Sequence, residues 1–554
     1  MNFLLNLTNN SIEYYNFIDS IKKEKAVCME HNTVSDSIRG LKNIKIKLML
    51  ESILVGLITG IVVVFFRILL DKVTNLRNFA LGVIKNSSML YVGMWFLFLI
   101  ITGIIFGILI EKIPMIKGSG IPQVKGVFIR QLKMDWLREL IAKFFGGIAS
   151  LGIGLSLGRE GPSVQLGAEV GLGLCRIFKR RPFEEKYLIT SGASAGLSAA
   201  FNAPLAGVVF SLEELHKSFN SLILVCAMGA SLAANFISTN FFGLKPVFNF
   251  QNVKSLPLNK YHYLILLGII LGIFGGIFNY SILKVQDMYK NIKVLKNRYK
   301  TIIPFAITGL VGLTIPEMLG GGHSLVENLS NNEFLLSTLF IFIIVKFLFT
   351  IICYGSGVPG GIFLPLLAIG ALIGKTYGVT LAQYANLPSE YIINFTVLAM
   401  AANFTSITRA PITGSILILE MTNSFNNFLE LMVIVTIAYL IADILNVHPI
   451  YDSLLEKMIG KKAGEKVLGN RKKKVIVEVP VSMGSKLEHK KVKDIIWPEG
   501  CLIVSIDRLE HKIIPDGDTI LLQGDRLFIY MNEEKACKVE PNLMSMGEDV
   551  LEKM

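Results

Sequence analysis

Apolar positions along this chain run in long continuous blocks. The first covers residues 48–70, and others follow near 90–113, 140–157, 192–212, 221–243, 261–283, 302–320, 336–354, 361–384, 391–403, 411–421 and 428–447. A helix needs about 20 apolar residues to span a bilayer, and several blocks approach that length. Others are shorter and are interrupted by Gly-rich or Pro-containing strings. Such short, broken segments predict half-helices that meet near the membrane midplane. The pattern therefore predicts an all-α polytopic membrane bundle. It changes near residue 470, where short alternating runs separated by turn signals begin. Val475–Val479, Leu502–Ile506, Thr519–Leu522 and Arg526–Tyr530 read as strands, and Pro515-Asp516-Gly517-Asp518 reads as a turn. A small cytoplasmic α/β domain is expected there.

Composition agrees with a membrane class. Of 554 residues, 52% are hydrophobic and 18% charged, whereas soluble chains carry about 25% charged residues. The net charge of +13 needs no nucleic-acid partner, because the basic residues flank apolar blocks and form no patch interleaved with aromatics. Lys42, Lys45 and Lys47 precede the first block; Lys461, Lys462, Lys466 and Arg471–Lys474 follow the last. Basic flanks mark the cytoplasmic side, so both termini are expected inside, with an even number of crossings. Phe3-Leu4-Leu5 is too short for the core of a cleaved signal. Six cysteines without a CxxC pair suggest neither a metal site nor a disulfide framework. The expected organisation is a cytoplasmic tail (1–45) with one short amphipathic helix, a transport domain (46–458), a basic linker (459–474), the small domain (475–540) and a C-terminal tail (541–554).

Two segments of the transport region share landmarks in one order. Lys143-Phe144-Phe145, Gly158–Pro162, Ala203–Gly207 and Glu213 match Lys346-Phe347-Leu348, Gly357–Phe363, Ala410–Gly414 and Glu420. In both, the glutamate follows the alanine by ten residues. Such similarity suggests duplicated structural repeats, often inverted, although the sequence does not itself show inversion.

An anion that leaves water needs donors that hold it without trapping it. Helix N-termini supply free N–H groups and the positive end of the helix dipole. Glycine allows close backbone approach, and proline suits the first helical turn. Three strings meet this requirement: Gly118-Ser119-Gly120-Ile121-Pro122, Gly158-Arg159-Glu160-Gly161-Pro162, and the run from Gly355 through Gly360, Gly361 and Ile362 to Phe363.

These strings, their order and Tyr451 downstream resemble the CLC family of chloride channels and proton/chloride exchangers, over roughly residues 45–458. The resemblance implies roles. Ser119 and Tyr451 would donate hydroxyls to the central anion, and the amides of Ile362 and Phe363 would line the site. Glu160 would be the external gating glutamate and Glu214 the internal proton-passing one. A carboxylate among apolar helices is a functional hypothesis by default; ionised, Glu160 can occupy an anion site and exclude chloride. Glu420 reads as structural. The family also implies a homodimer with one ion path per subunit, with residues 212–240 and 415–440 as candidate interfaces. The small domain resembles the RCK-C (TrkA-C) module, which implies regulatory ligand binding or dimerisation.

The resulting expectation is a proton-coupled chloride antiporter with chloride and protons as transported ions and no cofactor. A passive voltage-gated chloride channel is the alternative, against which the acidic Glu214 argues. A fluoride/proton antiporter is less favoured because Ser119 is present, and nitrate preference because Ser119 is not proline. A potassium channel should carry a Thr-Val-Gly-Tyr-Gly filter, and none occurs. No HExxH string suggests an intramembrane metalloenzyme.

Overall fold

The fold comes from a computed structural model. It describes residues 45–460, apart from 86, 181, 218–219, 245, 249 and 251–253. It also describes residues 474–547, apart from 509–510, 533–538 and 540–541. The amphipathic helix expected before residue 45 and most of the basic linker lie outside the described residues. The chain divides into two compact units at Met458 and Ile459.

The first unit is helical. Its helices are α1 (Lys45–Lys85), α2 (Met89–Lys112), α3 (Ile121–Phe128), α4 (Trp136–Ile153), α5 (Glu160–Ile177), α6 (Pro182–Phe201), α7 (Pro204–Phe210) and α8 (Ser221–Phe242). They continue with α9 (Tyr261–Asn291), α10 (Asn297–Lys300), α11 (Ile302–Thr314), α12 (His323–Asn331) and α13 (Leu336–Gly355). The last are α14 (Phe363–Tyr384), α15 (Ile392–Thr408), α16 (Pro411–Thr422), α17 (Phe428–Ile444) and α18 (Ile450–Ile459). Among the described residues, eight helices are long and apolar enough to cross a membrane. The first extends well beyond the apolar block at 48–70: at about 1.5 Å per residue its 41 residues reach roughly 60 Å, twice a hydrocarbon core of about 30 Å. α14 and α15 are mostly buried inside the protein, whereas α2 turns most of its surface outward.

The repeat proves structural, and it is inverted at its centre. In the first half a 3-10 turn (Pro114–Ile116) precedes α3, and Gly118 and Gly120 have φ of 63° and 98°. In the second half a 3-10 turn (Pro316–Met318) precedes α12, and Gly320 and Gly322 have φ of 67° and 101°. Lys143 Nζ donates to the carbonyls of Ile116 (2.9 Å) and Gly118 (2.7 Å). Lys346 Nζ donates to Met318 (2.9 Å) and Gly320 (2.7 Å) in the same way. Each ammonium thus satisfies carbonyls exposed where the backbone breaks, and each is fully buried. The glutamates are exchanged between halves. Glu213 accepts from the N–H groups of Ile412 (3.1 Å) and Thr413 (2.7 Å), while Glu420 accepts from those of Leu205 (3.1 Å) and Ala206 (2.8 Å). Each residue therefore caps the first turn of the equivalent helix in the other half. Because the end of one segment meets the start of the other in both directions, α7 and α16 run antiparallel.

Close helix packing relies on glycine. Gly167 and Gly171 on α5, and Gly192 and Gly196 on α6, each follow the small-xxx-small spacing that lets backbones touch. A Cβ on Gly167 would lie 2.0 Å from the carbonyl oxygen of Gly192, and one on Gly192 would lie 1.9 Å from that of Gly167.

The second unit holds an antiparallel sheet ordered β1-β4-β2-β3, made of β1 (Lys474–Pro480), β2 (Leu502–Arg508), β3 (His511–Ile513) and β4 (Arg526–Asn532). Val477 and Val479 face the core with Leu527 and Ile529, the alternation expected of half-buried strands. Thr519–Leu522 is not the strand expected from its composition; it makes only an isolated bridge between Ile520 and Lys491. Its backbone pairs locally with residues 489–492 instead: the His489 N–H donates to the Leu521 carbonyl (2.9 Å), the Leu521 N–H to the Lys490 carbonyl (3.0 Å) and the Val492 N–H to the Thr519 carbonyl (3.0 Å). Thr519 Oγ1 donates to Asp516 Oδ1 (2.7 Å), and the Leu522 N–H donates to Asp525 Oδ2 (2.8 Å). The segment is thus paired outside the sheet, and β3 takes the edge next to β2.

Candidate functional site

The three glycine strings meet at one place. Gly158 and Gly361 exchange both backbone bonds, each N–H donating to the other's carbonyl at 2.7 Å. The Gly118 N–H donates to the Gly357 carbonyl (3.1 Å), and the Gly360 N–H donates to the Gly118 carbonyl (3.0 Å). This short mixed ladder joins the lead-ins of α3, α5 and α14, so the first turns of α5 and α14 face one another across it. Glycine is required here for contact as well as for φ. A Cβ on Gly161 would lie 2.4 Å from Ser119 Oγ, and one on Gly361 would lie 2.7 Å from Glu160 Oε1.

Glu160 is the first residue of α5, and its side chain folds back over the Gly158–Gly361 bridge. It is fully buried. Oε1 accepts from the Leu364 N–H at 2.9 Å, while Oε2 has no partner among the described residues. The carboxylate therefore occupies the N-terminus of α14, where free N–H groups favour an anion. The amide at 2.9 Å is that of Leu364, one residue beyond the sequence-derived pair Ile362 and Phe363, and the Phe363 amide also favours the carboxylate; Ile362 and Phe363 form the N-cap and first position of α14 and are both buried. Neither Arg159 nor Lys143 forms an ion pair with Glu160 among the described residues. Arg159 lies over the Phe201 ring instead, and Lys143 is committed to backbone carbonyls.

Ser119 and Tyr451 are buried, and neither hydroxyl has a hydrogen-bond partner among the described residues. Two buried hydroxyls left this way are costly unless something else accepts their bonds. Both are donors, which suits an anion. Ser119 lies against Gly161, hence beside the first turn of α5. Tyr451 stands in the first turn of α18. Gly118, Gly120, Ile121 and Pro122 continue from Ser119 into α3, with Gly120 as its left-handed N-cap. Behind Gly118 and Gly357 lies a cavity of about 510 Å³. Lys117, Lys290, Lys300 and Lys457 line it, with Glu111 as the lining carboxylate. This cationic basin adjoins the glycine ladder and would concentrate anions beside it.

Glu214 lies apart from its neighbour Glu213. It sits in a π-helical turn (Ser211–His216) after α7, is buried, and pairs through Oε1 with Lys125 Nζ at 2.6 Å. Lys125 also pairs with Asp452 at 2.7 Å, and Asp452 pairs with Lys217. Sequence reasoning missed Lys125, Asp452 and Lys217, because pairing between residues 327 positions apart leaves no periodic trace. It also missed Glu169 and Glu139, both buried. Gln165 Nε2 donates to Glu169 at 2.8 Å. The rule that an acid inside an apolar helix marks function would have found Glu169.

Comparison with known proteins agrees with this geometry. Residues 102–443 match the family described as voltage gated chloride channel, and residues 476–543 match the TrkA-C domain. The H(+)/Cl(-) exchange transporter ClcA of Salmonella arizonae is 33% identical over 434 residues, covering 76% of this chain and 91% of that protein. The crystal structure of a slow cyanobacterial Cl-/H+ antiporter superposes with a TM-score of 0.72 at 30% identity, over 75% of this chain and 99% of that one. A CLC-type fluoride/proton antiporter superposes with a TM-score of 0.61 at 26% identity, over 72% and 95%. With its broken helices, exchanged caps and joined glycine strings, this chain is an integral membrane protein of the CLC, or voltage gated chloride channel, family.

Proposed function

We propose that this chain exchanges chloride for protons across the cell membrane, with both termini cytoplasmic. One observation carries the reading: a buried carboxylate, Glu160, lies on the N-terminus of α14, beside two buried hydroxyls that have no hydrogen-bond partner among the described residues. Ionised, Glu160 holds the Leu364 amide itself and competes with chloride for that position. Protonated, it loses the charge that α14 attracts, and chloride can take its place between Ser119, Tyr451 and the α14 amides. The proton stays on the carboxyl until the side chain releases it on the other side. Glu214 exchanges protons with the cytoplasm. The chain thus works by moving ions without a cofactor, and the bonds made and broken are the O–H bonds of the carboxyls that carry the proton.

The nearby solved antiporter and the curated relative support exchange. A passive channel is the second reading, and the buried acidic Glu214 favours exchange over it. Replacing Glu214 with Ala is expected to turn coupled exchange into uncoupled anion flow. Simultaneous chloride and pH recording in liposomes measures this; proton pumping at the wild-type ratio in that variant would remove Glu214 from the path. Replacing Ser119 with Pro is expected to shift preference severalfold toward nitrate. A chloride/nitrate flux ratio equal to wild type would mean that Ser119 does not touch the ion.

The protein acts as a homodimer with one path per subunit in this proposal. Leu224, Met228, Leu232 and Phe236 form an exposed apolar stripe on α8, and Phe428, Leu429 and Leu440 are exposed on α17; these fall in the two regions proposed for the interface. The TrkA-C domain supports a regulatory small-molecule ligand for the second unit.

A further inference from the structure

Tyr451 is buried, yet no hydrogen bond fixes its hydroxyl among the described residues. Its position depends on how α18 is held. The next residue, Asp452, supplies a firm tether. Its Oδ1 lies 2.7 Å from Lys125 Nζ, and its Oδ2 accepts from Lys217. The same Lys125 Nζ lies 2.6 Å from Glu214 Oε1. One buried ammonium therefore touches both the internal carboxylate and the residue that anchors Tyr451. Lys125 belongs to α3, whose lead-in carries Ser119, and Lys217 ends the π-helical turn that carries Glu214. Three elements with roles in anion or proton handling are joined by a single cluster of four charges.

With Glu214 ionised the cluster is balanced, two cations against two carboxylates. When Glu214 takes up a proton, both ammoniums face Asp452 alone. Charge changes in a poorly hydrated interior are felt strongly by neighbouring charges. We propose that Lys125 and Asp452 are positioning residues that link the proton state of Glu214 to the placement of Tyr451. Proton arrival at the internal carboxylate would thereby alter the grip on the central anion, although neither residue touches the ion. This inference rests on the roles given above to Glu214 and Tyr451.

The test uses the purified full chain and chloride titration calorimetry, which needs no proton movement. Asp452→Asn is expected to weaken chloride binding about tenfold, and Lys217→Met, whose side chain is half exposed, should weaken it less. Lys125→Arg should restore most of the affinity that Lys125→Met loses. In a Tyr451→Ala background, Asp452→Asn should cost almost nothing further, because coupled residues are non-additive. A purely structural ion pair would lower the yield of folded protein while leaving chloride affinity unchanged in the monodisperse fraction. Wild-type affinity in folded Asp452→Asn and Lys217→Met would overturn the proposal, as would an undiminished Asp452→Asn effect without Tyr451. Glu214→Gln, which stands for the protonated acid, should change chloride affinity in the wild type and not in Asp452→Asn, and an equal change in both would overturn the link. If the wild type binds chloride but drives no protons in liposomes, exchange falls while these binding measurements still decide the link.

Discussion

Glu160→Gln is expected to abolish chloride-driven proton movement while chloride flux continues. The amide keeps the size of the carboxyl and can still accept a bond from the Leu364 N–H, which Glu160 Oε1 now holds at 2.9 Å. It cannot carry the charge that α14 attracts, and it cannot bind or release a proton between pH 4 and 9. Both functions of the side chain are lost together. The pH dependence that Glu160 imposes on chloride flux should vanish as well. In the wild type, acid favours the neutral carboxyl and clears the position for chloride, so flux should rise as pH falls. In the variant, flux should lose that acid activation, keep only whatever pH dependence Glu214 imparts, and be at least as fast as the acid limit of the wild type. Liposome recordings with chloride and pH electrodes read both quantities. Proton uptake at the wild-type ratio would contradict the role assigned to Glu160, and a wild-type pH profile would move the titrating group elsewhere.

Gly167→Leu should remove the folded protein rather than tune it. The first added carbon would meet the Gly192 carbonyl oxygen at 2.0 Å. Both atoms belong to buried helices, so relief requires α5 and α6 to separate. Neighbouring positions oppose that movement, since a Cβ at Gly171 or Gly196 would also collide with backbone, at 2.2 Å and 2.1 Å. Overpacking commonly costs about 1–3 kcal/mol when side chains can adjust; here the obstacle is main chain, and the cost should reach or exceed the top of that range. The consequence extends to the site, because α5 begins with Glu160. Size-exclusion chromatography of the detergent-extracted variant should show loss of the monodisperse peak. A normal peak with normal transport would show that α5 and α6 can spread without harm. Gly82 offers a control, since no atom of the described residues lies within 4 Å of a Cβ there.

These cases show how unevenly the site could be read from the chain. Glu160, Ser119 and the glycine strings stand out locally, because glycine, proline and a lone acid interrupt apolar blocks. The α5–α6 contact also had a local signal, the paired small-xxx-small spacing, although its partner was not legible. Leu364 carried no signal, since a backbone amide at the start of a helix is the same whatever the side chain. Lys125, Asp452 and Lys217 were equally silent: each reads as an ordinary charge, and only burial beside Glu214 gives it meaning. Thr519–Leu522 misled because its backbone pairs with residues 489–492 through a single isolated bridge, and β propensity does not say which partner a short extended run will find.

By itself the sequence determined that this is a membrane bundle of broken helices with a small sheet domain, and it determined which strings carry donors. Hydrophobic block length and backbone-breaking residues act over a few neighbours, so they are written locally. Only the tertiary structure decided that the repeats are inverted, that Glu213 and Glu420 exchange caps, and that Gly158 pairs with Gly361. Those facts depend on which distant groups meet once water is excluded, where every unpaired N–H, carbonyl or charge must find a partner.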